Sequence, residues 1–300
     1  ALADKNLNGV TTFGGILEND HINNEELLIS FSLEKLIGKH YPIKIEDQFL
    51  EDNFFHLVDH FDDPIHDSNY FSLMALCSKI KKDTNIKVVL CGEGADEVFG
   101  GYDRYKYFSN IANNKYIDTL IYSYNQIAIP RLKLLTKDPV IISQERYNIF
   151  KEVISEDTFN SLLLYDQKTF LGSYLHRQDR VGMLYGIEIR TPYLDHNLVN
   201  FINSIPSKHK YNSQFLKLLL RKIGDKIIDK RIVWNRQKIP FSFPTSDLLK
   251  NGFLKSLFQK KIKNGFIVED IYDINGVCKL LNQHSEGIDH SNTLWRILCL

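Results

Sequence analysis

Three carboxylates, Glu93, Asp96 and Glu97, follow directly on the apolar run Ile86 to Leu90, with Gly92 and Gly94 set around the first of them. Carboxylates grouped in this way can hold a divalent cation, orient an ammonium group, or take a proton from an attacking amine. Such chemistry needs the run to be a strand whose carboxyl end opens on a crevice, which is where open α/β sheets bind their ligands. Ile86 to Leu90 is apolar and β-branched apart from Lys87, which predicts a strand covered on both faces. The glycines supply a tight turn, and all three acids are then expected beside the crevice. Gly92-x-Gly94 does not continue as a dinucleotide fingerprint, because Glu97 stands at the third glycine and carboxylates would repel a naked pyrophosphate. The spacing alone leaves open an ordinary acidic turn between strand and helix.

The elements that must position this loop alternate in type. Val10 to Leu17 reads as a strand, Asn23 to Ile37 as a helix stopped at Gly38, and Tyr41 to Ile45 as a second strand. Asp47 to Asp59 and Ser68 to Lys81 read as helices, each opened by a capping residue, before Ile86 to Leu90. Alternation of this kind predicts one parallel sheet containing all three strands. From Tyr102 onward the periodicity is helical: Leu162 to Val181 as one long helix, Leu198 to Ser204 as a short one before Pro206, and Phe215 to Ile228 as another. Asn110 to Lys115 and Thr136 to Pro139 read as loops. Residues 1–101 are expected to form an α/β nucleotide-binding half and residues 102–300 a mainly helical half covering the carboxyl end of the sheet. Ala1 to Leu7 reads as the end of a helix stopped by Asn8-Gly9, as though the chain were entered within an element.

Composition narrows the function classes. The 37 basic and 37 acidic residues cancel and are scattered, so no electrostatic footprint for nucleic acid or an anionic membrane is expected. No apolar run approaches the roughly eighteen residues of a membrane span, and the expected class is a soluble, cytoplasmic protein. The four cysteines, at positions 77, 91, 278 and 299, lack Cys-x-x-Cys spacing and read as free thiols. His56 and His60, followed by Asp62, Asp63 and His66, have the spacing of a zinc pair, but Leu57 stands where a zincin has its glutamate. Solvated or packed histidines are the simpler expectation. Tyr102, Tyr105 and Tyr107 are read as packing residues.

Gly92-Glu93-Gly94-Ala95-Asp96-Glu97-Val98-Phe99-Gly100-Gly101-Tyr102 resembles the signature GEG(S/A)DE(L/V/I)FGGY of the synthetase (ATP-pyrophosphatase) domain of the glutamine-hydrolysing asparagine synthetase family. Further blocks follow in the family's order. Asp179-Arg180-x-x-Met183, continuing through Gly186-Ile187-Glu188-Ile189-Arg190-Thr191-Pro192-Tyr193-Leu194-Asp195, is similar to DRxSMAxxxExRxPFLD. Lys217-x-x-Leu220-Arg221 and Arg236-Gln237-Lys238-Ile239-Pro240-Phe241-Ser242-Phe243-Pro244 are similar to KxxLR and RxKxGFxxP. Thr12 to Leu17 and Phe61-Asp62-Asp63-Pro64 extend the likeness upstream.

The resemblance implies an α/β fold, a parallel sheet of the adenine-nucleotide α-hydrolase type with a large α-helical C-terminal half. It implies an AMP-forming amide ligase that uses ATP and Mg²⁺ to adenylate a carboxylate, L-aspartate by the family, for attack by ammonia from glutamine. Glu93 would handle the incoming amine, Lys238 would stabilise charge on the α-phosphate, and Glu188 would act at the catalytic centre, where β-lactam synthetases pair a glutamate with a tyrosine. Cys91, Gly92, Asp96, Glu97, Arg177 and Gly15 would contact substrate or nucleotide, with Asp96 on the magnesium-pyrophosphate side. Arg177 and Arg190 are equally readable as structural partners of Asp179, Glu188 or Asp195. A glutaminase domain or subunit would be the partner, and a homodimer stays open. The family's SGGxDS loop and its glutaminase domain have no counterpart in the sequence, so the chain is expected to be truncated at its N-terminus. Pro240 replaces the family glycine beside Lys238. The alternative is a non-catalytic relative that keeps the fold to bind a nucleotide or a partner.

Overall fold

Val10–Leu17 (β1) and Gly38–Ile45 (β2) pair in parallel over their whole length, Val10 opposite Gly38 and Leu17 opposite Ile45. The structure, a computed structural model, describes residues 10–17, 29–32, 38–61, 65, 67–111, 124, 144–235, 243–265 and 272–299. β2 begins three residues earlier than its composition suggests. A β-carbon on Gly38 would lie 1.9 Å from the Val10 carbonyl oxygen, so the glycine expected to stop a helix instead admits the neighbouring strand. Phe13 stacks on Tyr41 across the pair at 5.3 Å. Of the expected helix Asn23 to Ile37, residues 29–32 are helical and the others lie outside the described residues, as does Thr136 to Pro139.

The main core forms where two helices meet these strands. Asp47–Phe61 (α1) buries Leu50, Phe54, Leu57 and Phe61, the one-face spacing of an amphipathic helix. Asn69–Asp83 (α2) opposes it with Tyr70, Phe71, Met74 and Cys77. Ser68 makes no capping bond; its hydroxyl accepts instead from Thr245, which ties the start of α2 to a late helix. Phe54 stacks on Phe71 at 5.9 Å and meets Trp295 edge-on at 6.1 Å. The Trp295 indole donates to the Ile65 carbonyl at 2.9 Å, closing Ser291–Leu298 over the cluster. Ring packing thus joins both ends of the described chain.

Val88–Leu90 (β3) departs from the expected single sheet. It pairs in parallel with Glu188–Arg190 (β4), Val88 opposite Glu188 and Leu90 opposite Arg190, while β1 and β2 form a separate ladder. Its expected burial on both faces is also corrected. Val89 packs on the main core, but Val88 is 42% and Leu90 57% exposed, because among the described residues nothing covers the other face. The fold is therefore α/β, mostly helical with two small parallel sheets.

Ala95–Phe99 (α3) and Asp103–Ile111 (α4) follow β3, and α4 takes in Asn110 at the start of an expected loop. After Gln144–Val153 (α5), the expected long helix is two, Thr158–Lys168 (α6) and Phe170–Leu184 (α7). The break is at Thr169, whose φ of −121° leaves the helical region while its hydroxyl bonds back to the Tyr165 carbonyl at 2.7 Å. His196–Ser204 (α8) is capped by the Asp195 side chain, so that motif carboxylate is a helix cap. The expected Phe215 to Ile228 shortens to Leu218–Gly224 (α9), because Asn212 Oδ1 accepts the Gln214 and Phe215 amides in a local turn. No helix among the described residues is long and apolar enough to cross a membrane.

The ring cluster yields a stability test. Phe54→Ala should lower unfolding free energy by about 3–5 kcal/mol in urea denaturation, whereas Phe55→Ala should stay within about 0.5 kcal/mol. Phe54 is 1% and its neighbour 56% exposed, so equal losses would place the core elsewhere.

Candidate active site

The Cys91 amide extends the β3–β4 ladder by one bond, to the Arg190 carbonyl at 2.9 Å, and the chain then turns into α3. Gly94 makes the turn at φ +85°, and a β-carbon there would meet Leu194 Cδ2 at 2.2 Å. Gly100 ends α3 at φ +75°. Gly101 admits a close crossing: a β-carbon on it would lie 1.6 Å from Asp96 Oδ1 and 2.2 Å from Lys217 Cε.

Glu93 is fixed from α7. Its Oε2 accepts from Arg177 Nη2 at 3.0 Å and from Gln178 Nε2 at 2.8 Å, and its Oε1 has no partner among the described residues. Arg177 reaches Asp67 with its other nitrogen at 3.4 Å and lies over the Tyr174 ring. Burial alone would lower the guanidinium pKa, but Asp67 and Glu93 outweigh it and the pKa rises. Arg177 is thus a buried bridge between two acids, paired with neither Asp179, Glu188 nor Asp195.

Asp96, one helical turn on, pairs with Lys217 at 2.9 Å. Lys217 is the one non-glycine residue with positive φ among the described residues, at +51°, and its amide donates to the Gly100 carbonyl at 3.2 Å. The pair borders a cleft of about 140 Å³, lined also by Gly101, Asp103, Phe215 and Arg221. The cleft carries two acids, Asp96 and Asp103, and two cations, Lys217 and Arg221; among the described residues no group of three or more His, Cys, Asp or Glu side chains is placed to hold a metal ion.

The third carboxylate does not border the crevice. Glu97 is 1% exposed; Oε1 accepts the Tyr102 hydroxyl at 2.7 Å, and Oε2 has no partner among the described residues. Desolvation raises its pKa, only partly offset by Tyr102. The helical period explains the correction, since Asp96 and Glu97 are neighbours and must leave α3 on different sides. Tyr105 is buried as well, in a second cluster where its hydroxyl and that of Tyr124 donate to Asp166, whereas Tyr107 is exposed.

Of the residues assigned to the catalytic centre or the magnesium side, Asp96 lines the cleft, and Glu93, on the same turn, is not among the lining residues. Glu188 is exposed, at the register of Val88, and bonds to Arg190 at 2.8 Å; among the described residues no bond joins it to Glu93 or Asp96. Lys238 lies outside the described residues with 236–242. Gly15 is buried in β1 opposite Ile43, in the other sheet. Gly92 is exposed beside the turn, and Cys91 is half-buried with its thiol pKa raised by burial. Burial also pushes the Cys77 and Cys299 thiols up to about 12. Of the histidine pair, the His60 ring meets the Arg180 carbonyl at 3.0 Å, while Asp62, Asp63 and His66 lie outside the described residues. Asp67 and Gln178 were not anticipated. Lys217 and Arg221 stood only within the KxxLR likeness.

A family model described as Asparagine synthase matches residues 1–300. The chain is 27% identical over 283 residues to asparagine synthetase (glutamine-hydrolyzing) 1 of Bacillus subtilis (strain 168), covering 81% of this chain and 44% of that protein. It is 25% identical over 280 residues to a putative asparagine synthetase (glutamine-hydrolyzing) of Mycobacterium bovis, covering 81% of this chain and 42% of the relative. Asparagine synthetase (glutamine-hydrolyzing) 3 of Bacillus subtilis is 30% identical over 189 residues, 57% of this chain and 28% of its own. The chain spans less than half the length of these curated relatives.

The buried Glu97 gives a pH test. With its folded pKa above the unfolded value, the native state holds the extra proton, so its contribution to stability is present below the unfolded pKa and is lost as pH rises through the folded one. Glu97→Gln, which can still accept from Tyr102, should therefore gain stability relative to the parent as pH is raised from about 4 to 7. Melting curves of both proteins across that range should diverge; parallel curves would mean that the carboxyl is not desolvated.

Proposed function

The chain belongs to the asparagine synthase family, and from that premise we propose that it is the synthetase portion of an ATP-dependent, AMP-forming amide ligase that adenylates L-aspartate for attack by ammonia derived from glutamine. The observation that carries this reading is the state of Glu93: two donors hold one carboxylate oxygen and the other is open, on a turn whose next helical residue but two, Asp96, faces a cation.

In the first step the substrate carboxylate attacks the α-phosphorus, and pyrophosphate leaves. Charge that builds on the phosphate oxygens needs fixed cations in a site poor in water, and Lys217 borders the cleft from the residue before α9. Lys238 is assigned to the same task by its motif. Asp96 is the carboxylate assigned to Mg²⁺, which when bound neutralises pyrophosphate. In the second step ammonia attacks the acyl carbon and AMP leaves. Glu93 Oε1 is assigned to receive the proton that the nitrogen sheds, and Arg177 and Gln178 keep that oxygen aimed by holding its twin. The backbone at Cys91, Gly92 and Gly15 is assigned to the nucleotide. Glu97 is assigned no contact with substrate.

A glutaminase domain or subunit is the partner that this reading assigns. The cytoplasm is the expected compartment.

The test uses the complete protein that carries this chain. It should release AMP and pyrophosphate in an aspartate-dependent manner; release of ADP would contradict the reading, and nucleotide binding without turnover would favour a non-catalytic relative. Glu93→Gln should slow amide formation by roughly 10²–10⁴-fold, the usual effect of losing a general base, while pyrophosphate release in a single turnover is retained. Equal loss of both steps would show that Glu93 is not the proton acceptor of the second step.

A further inference from the structure

Arg221 is bound by carbonyls alone. From α9 its Nε donates to the Leu216 carbonyl at 2.9 Å, and Nη1 donates both to Val233 and to the Asn235 carbonyl, the latter at 3.0 Å. No carboxylate pairs with it among the described residues. Its plane lies over Phe215, 5.4 Å from the centroid; Phe215 meets Trp234 edge-on at 5.1 Å, and the Trp234 indole donates to Asp225 at 2.6 Å. One side chain therefore ties the residue before Lys217 to Asn235. The planar fork of a guanidinium suits carbonyls that arrive from different directions; a lysine carries the charge without the fork.

The consequence falls on Lys217. A left-handed conformation costs a side-chain-bearing residue about 1–2 kcal/mol, so something must hold it. The amide bond to Gly100 and the ion pair with Asp96 hold it from one side, and Arg221, gripping the adjacent Leu216 carbonyl, holds it from the other. The next amide, Leu218, donates to the Lys210 carbonyl at 2.7 Å and continues the same turn.

We propose that Arg221 is a positioning residue: it acts through three backbone carbonyls to keep Lys217 in its left-handed turn with the ammonium on Asp96. Only the kinetic arm of its test rests on the ligase reading above. The structural arm is hydrogen exchange on Arg221→Lys and Arg221→Ala. Both should lose at least about tenfold protection at the Lys217 and Leu218 amides, while the amides of Leu280 and Leu281, in the helix Ile274–Ser285, keep theirs. Unchanged protection at Lys217 overturns the proposal, and so does full rescue by lysine, which would make charge the operative property. Loss spread evenly to Leu280 and Leu281 overturns it too, as a general stability effect. In the complete protein, Arg221→Lys should lower kcat roughly tenfold or more with little change in nucleotide affinity, the mark of a misplaced group. A double-mutant cycle with Lys217→Met should be strongly non-additive there, and additive losses would overturn the proposal. A parent that makes no AMP sinks the ligase reading and leaves the exchange result to decide on Arg221.

Discussion

The ion pair between Asp96 and Lys217 crosses Gly101 so closely that any side chain at that position would occupy the place of the carboxylate oxygen. Much of the site depends on this crossing. It sets how near α9 comes to the end of α3, and the amide bond from Lys217 to Gly100 repeats the contact in the backbone. Glycine at 100 serves the same approach from the other side, since a β-carbon there would meet Phe159 Cζ at 2.5 Å. The paired glycines thus let three helices, α3, α6 and α9, meet at one turn.

Around that turn each acid is governed by what faces it. Glu93 meets Arg177 and Gln178, Asp96 meets Lys217, and Glu97 meets only a tyrosine hydroxyl; desolvation then raises the pKa of the third. Asp166, deeper still, takes Arg104 and two tyrosines on one oxygen, yet desolvation remains the largest influence and its pKa also rises. Buried ion pairs of this kind fix geometry more dependably than they add stability, because desolvating both partners cancels most of their attraction. Their effect is on direction: Glu93 cannot rotate without giving up its bonds from Arg177 and Gln178.

The acidic loop was legible because its glycines, its strand and its eleven-residue likeness coincide, and β1 was legible to the residue. Local pattern failed where the partner comes from far along the chain. Glu188-Ile189-Arg190 has two charges in three residues and becomes a strand only because β3 offers it a ladder. Asp67 and Gln178 carry no local signal, being 110 residues apart from Arg177 and its direct neighbour respectively, and they matter only once α7 packs across α2. The α9 boundary moved because the Asn212 turn and the Lys217 conformation are tertiary choices that helical propensity does not see. Glu97 was misplaced by proximity in sequence: three acids in one short segment cannot all leave a helix on the same side.

Within the ligase reading the Asp96–Lys217 pair has a further property. A pyrophosphate carries negative charge and its Mg²⁺ positive charge, so within that reading Asp96 would hold the metal and Lys217 the phosphate, and the two together would replace both halves of the pair. Neither side chain, each about a quarter exposed, would then pass through an uncompensated state, which is expensive for a partly buried charge. Bare pyrophosphate or bare metal would release one partner and leave the other unmatched. On that reading the pair would favour the complete metal-phosphate unit over either component through charge balance.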